Sequence, residues 1–180
     1  MEIIHKEILF MSIAAGLEEF LNSQFITYEP VFHHPSDTAF NTAISAHVSS
    51  AEVAKAVILK NETLDTTLMV VVPANKRVSI STLDKLTDCH FQLMDEDKAC
   101  GLFYGCENGA IPGCGDAFGI DMIVDDSLLE ADHVYLEAGD HKTLLKLDHD
   151  NYAQMVLCAP HAKLSAAAVK GYQNPTLHHA

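Results

Sequence analysis

The chain has 180 residues, a length that fits a single domain, and 48% of them are hydrophobic, which is enough for one core. Lysine and arginine number 11 against 25 aspartates and glutamates, so the formal net charge is −14. Such an acidic surface repels phosphate backbones. The composition therefore excludes broad, nonspecific nucleic-acid binding and leaves room only for local contacts.

Three further features predict a cytoplasmic protein that does not enter a membrane. The longest apolar run, "TLMVVVP" at residues 67–73, has the length of a strand and not of a membrane span. The N-terminus lacks the basic region and the small-residue cleavage site of a signal peptide. The five cysteines follow no disulfide framework, which indicates reduced thiols.

In the first half of the chain, helical and strand-like patterns alternate. "SIAAGLEEFLNSQ" spaces its apolar residues on one helical face, with Ser12 as a possible N-cap, whereas "FITYEPV" alternates as a strand does. Ser36 or Asp37 could cap the next helix. Helices are predicted at 12–24, 39–48, 51–55 and 81–88, strands at 25–31, 56–60 and 67–73, and turns at 61–65 and 75–77.

The second half begins with the strand 89–94 and the helix 95–103 and then enters a glycine-rich loop. Three strands follow the loop, at 121–126, 133–139 and 143–148, and the helix 149–158 and a polar, alanine-rich tail end the chain. Helices, hairpin-like strands and consecutive strands in this order favour an α+β fold with a mixed, largely antiparallel sheet over a doubly wound parallel one.

The loop "GCENGAIPGCGDAFG", residues 105–119, holds five of the nine glycines of the chain. Glycine lets a backbone approach a ligand closely. The loop matches neither a P-loop nor the GxGxxG pattern, and Cys106 and Cys114 are too far apart for a zinc knuckle. We therefore expect no metal and no cofactor. A main-chain site for a small polar group and a plain irregular loop both stay open.

Four segments in order resemble the YbaK-type aminoacyl-tRNA deacylases, which include the prolyl-tRNA-synthetase-associated editing domain. They are "AHVSSAEVAKAVIL" (46–59), "LMVVVPANKRVSISTLDKL" (68–86), "GAIPGCG" (109–115) and the stretch 119–156, which contains "VDD" and "EAGDH". The sequence departs from the family at Gly113, where family members usually have proline. The resemblance covers about residues 24–158, which leaves 1–23 as an N-terminal helical extension and 159–180 as a C-terminal tail.

This resemblance implies a barrel-like mixed sheet flanked by helices, and it implies a site. Lys55 would reach the 3′-terminal adenosine and its phosphate, and the loop backbone at Gly109 and Ala110 would serve catalysis. His47, Ile111, Pro112, Gly113, Asp125 and His141 would bind substrate. For four of these residues a purely structural role stays open as an alternative. Lys55 could be a solvated lysine at a helix end, Asp125 the cap of the next turn, His141 a turn residue and His47 a structural residue.

The implied function is trans-editing, the hydrolysis of the 3′-terminal ester of a mischarged aminoacyl-tRNA that carries a small amino acid. No Ser/His/Asp or Cys/His pair is apparent, and the resemblance implies assistance by the terminal ribose hydroxyl instead. The partners would be the acceptor end of tRNA and an aminoacyl-tRNA synthetase. Lys55, together with Lys60, Lys76 and Arg77, would contact the acceptor end. A non-catalytic aminoacyl-tRNA binding module and a small-molecule sensor are the rival hypotheses, and the sequence leaves the oligomeric state open.

Overall fold

The computed structural model describes residues 13–167. Within that range, six α-helices and a 3₁₀ turn, Asp116–Phe118, surround short sheets. The helices are α1 Ala15–Ser23, α2 Ala39–Ser45, α3 Ile80–Thr87, α4 Glu96–Cys100, α5 Asp126–Leu129 and α6 His149–Met155. The strands are β1 Glu29–Phe32, β2 Ala54–Asn61, β3 Thr66–Pro73, β4 Lys76–Val78, β5 Gln92–Leu93, β6 Met122–Asp125, β7 His133–Glu137, β8 Thr143–Asp148, β9 His161–Ala162 and β10 Ser165–Ala167.

The strands form three sheets. The largest has the order β5-β2-β3-β6-β9, with an antiparallel β2–β3 hairpin and parallel pairs β3–β6 and β6–β9. A second, antiparallel sheet has the order β1-β8-β7, and β10 pairs with β4. The α+β class with mixed sheets is thus confirmed, but the sheets of residues 13–167 do not close into a barrel.

Strand β3 is buried on both faces, which explains its uninterrupted apolar run. Met69 and Val71 belong to the main core, together with Leu17 and Leu21 of α1 and with residues of β7 and β8. The alternate residues of β3 face a second cluster that α3 covers: Leu68, Val70 and Val72 pack with Leu83. Because successive side chains of a strand point to opposite faces, a strand covered on both sides must be apolar throughout.

The structure differs from several predictions at element boundaries. Residues 51 and 52 form a turn and Val53 a β-bridge to Tyr135, where a helix was predicted, so Lys55 lies in β2. Of the predicted turn 75–77, residues 76 and 77 belong to β4. The cap of α2 is Thr38, whose hydroxyl accepts from Asn41 N–H at 3.2 Å, and neither Ser36 nor Asp37. Ser12, the proposed cap of the first helix, lies outside the described residues, and the N-cap of α1 is Ala14.

The segments at both ends of the described range join the body of the fold. Leu17 and Leu21 of α1 are fully buried, and Ala14 N–H donates to the Ala138 carbonyl at 2.8 Å. Residues of the predicted C-terminal tail form β9 and β10. None of the helices in residues 13–167 has the length and hydrophobicity that a membrane crossing needs.

Candidate functional site

The glycine-rich loop has a fixed conformation in which two glycines are required. Gly109 has φ +85°, and a Cβ there would lie 3.4 Å from Cε1 of His141. Gly115 has no room for a side chain, because an added Cβ would lie 2.3 Å from the Ile120 carbonyl oxygen. Gly109 therefore meets a requirement of backbone conformation, and Gly115 meets a requirement of close packing.

Hydrogen bonds fasten this loop to the turn between β7 and β8. Glu107 N–H donates to the Gly139 carbonyl at 2.8 Å, and His141 Nε2 lies 2.6 Å from the Asn108 carbonyl oxygen. His141 itself has φ +56°, an uncommon conformation for a residue other than glycine. The loop and the turn thus form one continuous wall, in which His141 of the turn contacts Asn108 of the loop.

Behind this wall lies a small pocket of about 70 Å³. Its lining comes from the segment that begins α2, from β2, from the glycine-rich loop and from the end of β7 with the following turn. The lining residues are Asp37, Thr38, Ala39, Ala54, Lys55, Ala56, Gly109, Ile111, Glu137 and His141. Alanine and glycine make most of the apolar wall, and a cavity of this volume holds only a few water molecules. A small organic group with a polar end would fit it.

Lys55 enters the pocket from β2 and is partly buried. Its ammonium group donates a hydrogen bond to the main-chain carbonyl of Lys76, at the start of β4. Burial lowers the pKa of Lys55, and the positive charge of Arg77 lowers it further. A lysine with a lowered pKa inside a pocket gains from the approach of a negative group, since that group would restore the favourable charged form.

Glu137, the last residue of β7, places a carboxyl group in the same pocket. Its residue surface is only 6% exposed. Oε1 accepts a hydrogen bond from Thr42 Oγ1 at 3.1 Å, whereas Oε2 is buried and has no partner among the described residues. Burial raises the pKa of Glu137 to about 7, although the Thr42 bond and the nearby His141 act in the opposite direction. The pocket thus contains a carboxyl group that titrates near neutrality.

Four of the residues predicted from the sequence meet in this pocket: Lys55, Gly109, Ile111 and His141. Ala110 is buried beside it, and its N–H donates to the Glu107 carbonyl at 3.0 Å, so that amide is already engaged. The N–H groups of Gly109 and Ile111 have no acceptor among residues 13–167. Those two amides remain able to serve a ligand.

Four other predicted residues lie away from the pocket lining. His47 is exposed in the turn after α2 with φ +57°. Pro112 and Gly113 are buried residues of the loop itself. A Cβ at Gly113 would lie 3.1 Å from Val71 Cγ1 and 3.4 Å from Ala54 Cβ. Gly113 therefore packs closely against the sheet, and a side chain there would have to displace Val71 slightly.

Asp125 is the fourth of these residues, and it organises the chain after β6. Its carboxylate accepts from the N–H of Ser127 at 3.1 Å, as the N-cap of α5, and from the hydroxyl of the same serine. The N–H groups of Leu164 and Ser165 donate to Oδ2 at 2.9 and 2.8 Å. Burial opposes ionisation of Asp125, but these hydrogen bonds outweigh it and lower the pKa. Asp125 thus anchors the segment that leads into β10.

Sequence reasoning did not find most of the polar lining. It did not propose Glu137, Asp37 and Thr38 as site residues. It also did not propose the small residues of the pocket wall, Ala39, Ala54 and Ala56. One signal was present: Glu137 ends the apolar run "HVYLE", where an acidic residue interrupts a strand that is otherwise buried. Asp37 was considered only as a helix cap.

The two cysteines of the glycine-rich loop are not arranged as reactive thiolates. Burial raises the pKa of Cys106 to about 11 and that of Cys114 to about 12, which disfavours their thiolates. Within the part of the chain that the structure describes, no group of three or more His, Cys, Asp or Glu side chains is arranged to hold a metal ion.

Solved structures with the same fold are similar to this chain. The hypothetical protein APE2540 aligns with a TM-score of 0.73 and 24% identity over 84% of this chain and 99% of its own. A candidate trans-editing enzyme for prolyl tRNA synthetase aligns with a TM-score of 0.72 and 17% identity over 86% and 97%. A candidate signal transduction protein from Marinobacter aquaeolei VT8 gives 0.67 and 15% over 84% of this chain but 30% of its own. No curated protein matches the sequence.

The family follows from the sequence match. The model of the aminoacyl-tRNA editing domain matches residues 33–155, more than half of the chain. The chain therefore belongs to the aminoacyl-tRNA editing domain family, which confirms the resemblance seen in its four segments.

Proposed function

We propose that this protein is a YbaK-type trans-editing deacylase, which hydrolyses the ester between a small amino acid and the 3′-terminal adenosine of tRNA. The observation that carries the proposal is the pocket of about 70 Å³, where Lys55, Gly109, Ile111 and His141 converge from separate segments of an editing-family domain. Its alanine and glycine walls suit a short side chain and would exclude a bulky one.

The chemistry requires little from side chains, because an ester is already an activated acyl compound. Water would add to the carbonyl carbon, the C–O bond to the ribose would break, and the proton would pass to the ribose oxygen, with the neighbouring ribose hydroxyl assisting. The unengaged N–H groups of Gly109 and Ile111 are suited to stabilise the oxyanion of the intermediate. The pocket would supply orientation, which is a large part of catalysis on its own.

The terminal nucleotide would lie across the mouth of the pocket. Lys55 would contact its ribose or phosphate, and Lys76 and Arg77 lie near Lys55. An adjoining open depression of about 500 Å³ shares Asp37, Gly109 and His141 with the pocket and is also lined by Glu96, Glu107 and Lys142. With three carboxylates against one lysine, this lining would suit an uncharged base or ribose better than a phosphate.

The net charge of −14 argues that only the acceptor end of the tRNA is held, so that binding would be weak. Delivery of the charged tRNA by an aminoacyl-tRNA synthetase or an elongation factor in the cytoplasm would compensate for the weak binding. The proposal therefore includes a partner that presents the charged tRNA.

The test is a panel of mischarged tRNAs incubated with the full chain and with the Lys55→Ala variant. We expect release of at least one small amino acid above the spontaneous rate, and much less release with the variant. A complete panel without release would contradict the hydrolase proposal. Binding of aminoacyl-tRNA without release would identify a non-catalytic binding module on the same fold.

A further inference from the structure

The buried carboxyl group of Glu137 is the feature of the pocket that ester hydrolysis as described above does not use. Thr42 Oγ1 contacts one oxygen, and Ser36 Oγ lies 2.7 Å from the same hydroxyl, so a short chain of hydroxyls supports Oε1. Oε2 has no partner among the described residues. Buried polar atoms are nearly always hydrogen-bonded, and a carboxylate without a cationic partner is costly to bury.

No ion pair joins this carboxylate to a lysine, arginine or histidine among the ion pairs found in residues 13–167. Lys55 lines the same pocket, but its ammonium donates to the Lys76 carbonyl, and no ion pair within 4.0 Å joins it to Glu137 among the described side chains. His141 also lines the pocket, and its Nε2 is engaged with the Asn108 carbonyl. Among residues 13–167, the Oε2 atom of Glu137 therefore has no protein partner, and a cationic ligand in the pocket would stabilise its ionised form.

The other carboxylate of the pocket, that of Asp37, is in a different situation. Asp37 is exposed and accepts from Asn41 Nδ2 at 3.1 Å. Water solvates it freely, so a cationic ligand gains less there than at a buried oxygen with no competing partner. The position that favours a cationic group most is thus Glu137.

We propose that Glu137 binds the α-ammonium group of the aminoacyl ester through Oε2. This inference rests on the proposed function, since it takes an aminoacyl group as the occupant of the pocket. The substrate class then becomes narrower: a small amino acid with a free α-amino group. Esters of N-acylated amino acids and of α-hydroxy acids lack the cation and are poor ligands for this site.

The size of the pocket supports this assignment. A volume of about 70 Å³ accepts an ammonium group on a short carbon skeleton, whereas a long side chain with a guanidinium or a terminal amine would have to extend out of the pocket. A charge-assisted hydrogen bond of this kind is expected to change affinity by about ten- to a hundredfold. Glu137 would thus distinguish ligands by the α-substituent, whereas the alanine walls distinguish them by size.

The test uses two stable adenosine analogues that differ only at the α-position. One carries an alanyl group and the other a propanoyl group, each joined to the 3′ position through an amide. Their dissociation constants are measured calorimetrically with the full chain at about pH 7.5, where the carboxyl of Glu137 and the amine are both largely charged. We expect the alanyl analogue to bind about ten- to a hundredfold more tightly.

Variants then assign the preference to a residue. Glu137→Gln keeps the shape of the side chain and should abolish the preference, while Glu29→Gln, a change at an exposed glutamate outside the pocket, should retain it. Circular dichroism verifies that both variants fold. Persistence of the preference in Glu137→Gln, or its loss in Asp37→Asn alone, would overturn the proposal.

The wild-type comparison is decisive by itself, even if the Glu137 variant fails to fold. Equal affinities for the two analogues, or no binding of either, would overturn amine recognition. Deacylation is scored separately. Amine preference without ester hydrolysis leaves the inference standing and removes the hydrolase proposal, whereas hydrolysis without amine preference removes the inference alone.

Discussion

The ammonium group of Lys55 donates a hydrogen bond to the main-chain carbonyl of Lys76, and this contact holds the lysine beside the small pocket. Lys55 is part of the long β2–β3 hairpin, and Lys76 begins the short strand that follows it. The lysine is therefore positioned by main chain and not by a carboxylate. No carboxylate of residues 13–167 forms an ion pair with it, so an anionic ligand would gain from its charge.

Replacing Lys55 should affect activity far more than stability. We expect Lys55→Ala to reduce deacylation by about ten- to a hundredfold, because a charge-assisted contact to the reacting end is lost. Its melting temperature should stay close to that of the wild type. Single-turnover hydrolysis and thermal unfolding measure the two effects.

Lys60 is the matched control, since it lies on the same strand and forms a solvent-accessible ion pair with Asp65 at 2.7 Å. Lys60→Ala should leave the rate nearly unchanged and alter at most the salt dependence of tRNA binding. Equal, small effects of both substitutions would mean that Lys55 does not contact the reacting end.

Glu137 should make the stability of the protein depend on pH near neutrality. Its unfolded carboxyl loses the proton near pH 4.5, whereas the folded one keeps it to about pH 7 because burial disfavours the charge. Between these values the folded state binds more protons, so the free energy of unfolding falls as pH rises, by at most about 3 kcal/mol. The groups that surround this carboxyl are Thr42 of α2, Asp140 and His141 of the following turn, Lys55 of β2 and Asp37.

Urea unfolding at about pH 5 and about pH 8 checks this linkage. Glu137→Gln does not titrate, so it should gain stability relative to the wild type as pH rises. The curve of Glu29→Gln should run parallel to that of the wild type, because the altered glutamate is mostly exposed. Parallel curves for wild type and Glu137→Gln would contradict the raised pKa.

Two glycines, Gly115 in the glycine-rich loop and Gly101 after α4, should respond very differently to replacement by alanine. At Gly115 a Cβ would lie 2.3 Å from the Ile120 carbonyl oxygen, so the loop must shift, and we expect a loss of about 3 kcal/mol. At Gly101 the nearest atom is 3.5 Å away, an ordinary contact, and φ is −62°. Gly101→Ala should therefore change stability by no more than about 1 kcal/mol. Denaturant unfolding of both variants measures the two changes in the free energy of unfolding. Similar losses of stability would contradict the packing argument.

Removing the charge of Asp125 should destabilise the segment after β9 and leave the pocket lining unchanged, because Asp125 does not line the pocket. Asp125→Asn weakens four hydrogen bonds, from Ser127, Leu164 and Ser165, and we expect about 2–4 kcal/mol of destabilisation. The pKa of this carboxyl is lowered in the fold, so its contribution is present above the unfolded value and is lost in acid. The gap between variant and wild type should accordingly narrow at low pH, and hydrogen exchange at Leu164 and Ser165 should rise. Unchanged exchange there would argue against the anchoring role.

The sequence by itself determined most of the elements and their class. The runs "AVILK" and "TLMVVVP" became the β2–β3 hairpin, and the last three predicted strands and the final helix all formed. These elements follow from local periodicity and from capping residues such as Asp95 and Asp148, each of which accepts an N–H three residues ahead. Four weak motifs in order were enough to indicate the family.

Only the tertiary structure decided which residues share the pocket. Thr42 and Glu137 are 95 positions apart, and their contact depends on how α2 lies against β7. From the sequence, Asp125 is a candidate to bind substrate or to cap the next turn, but in the structure the N–H groups of residues 39 and 40 positions later donate to its Oδ2. The short strands β4, β9 and β10 also exist only because a distant strand pairs with each. Local patterns fix the period of an element, whereas burial and hydrogen-bond partners depend on chain segments that the pattern does not contain.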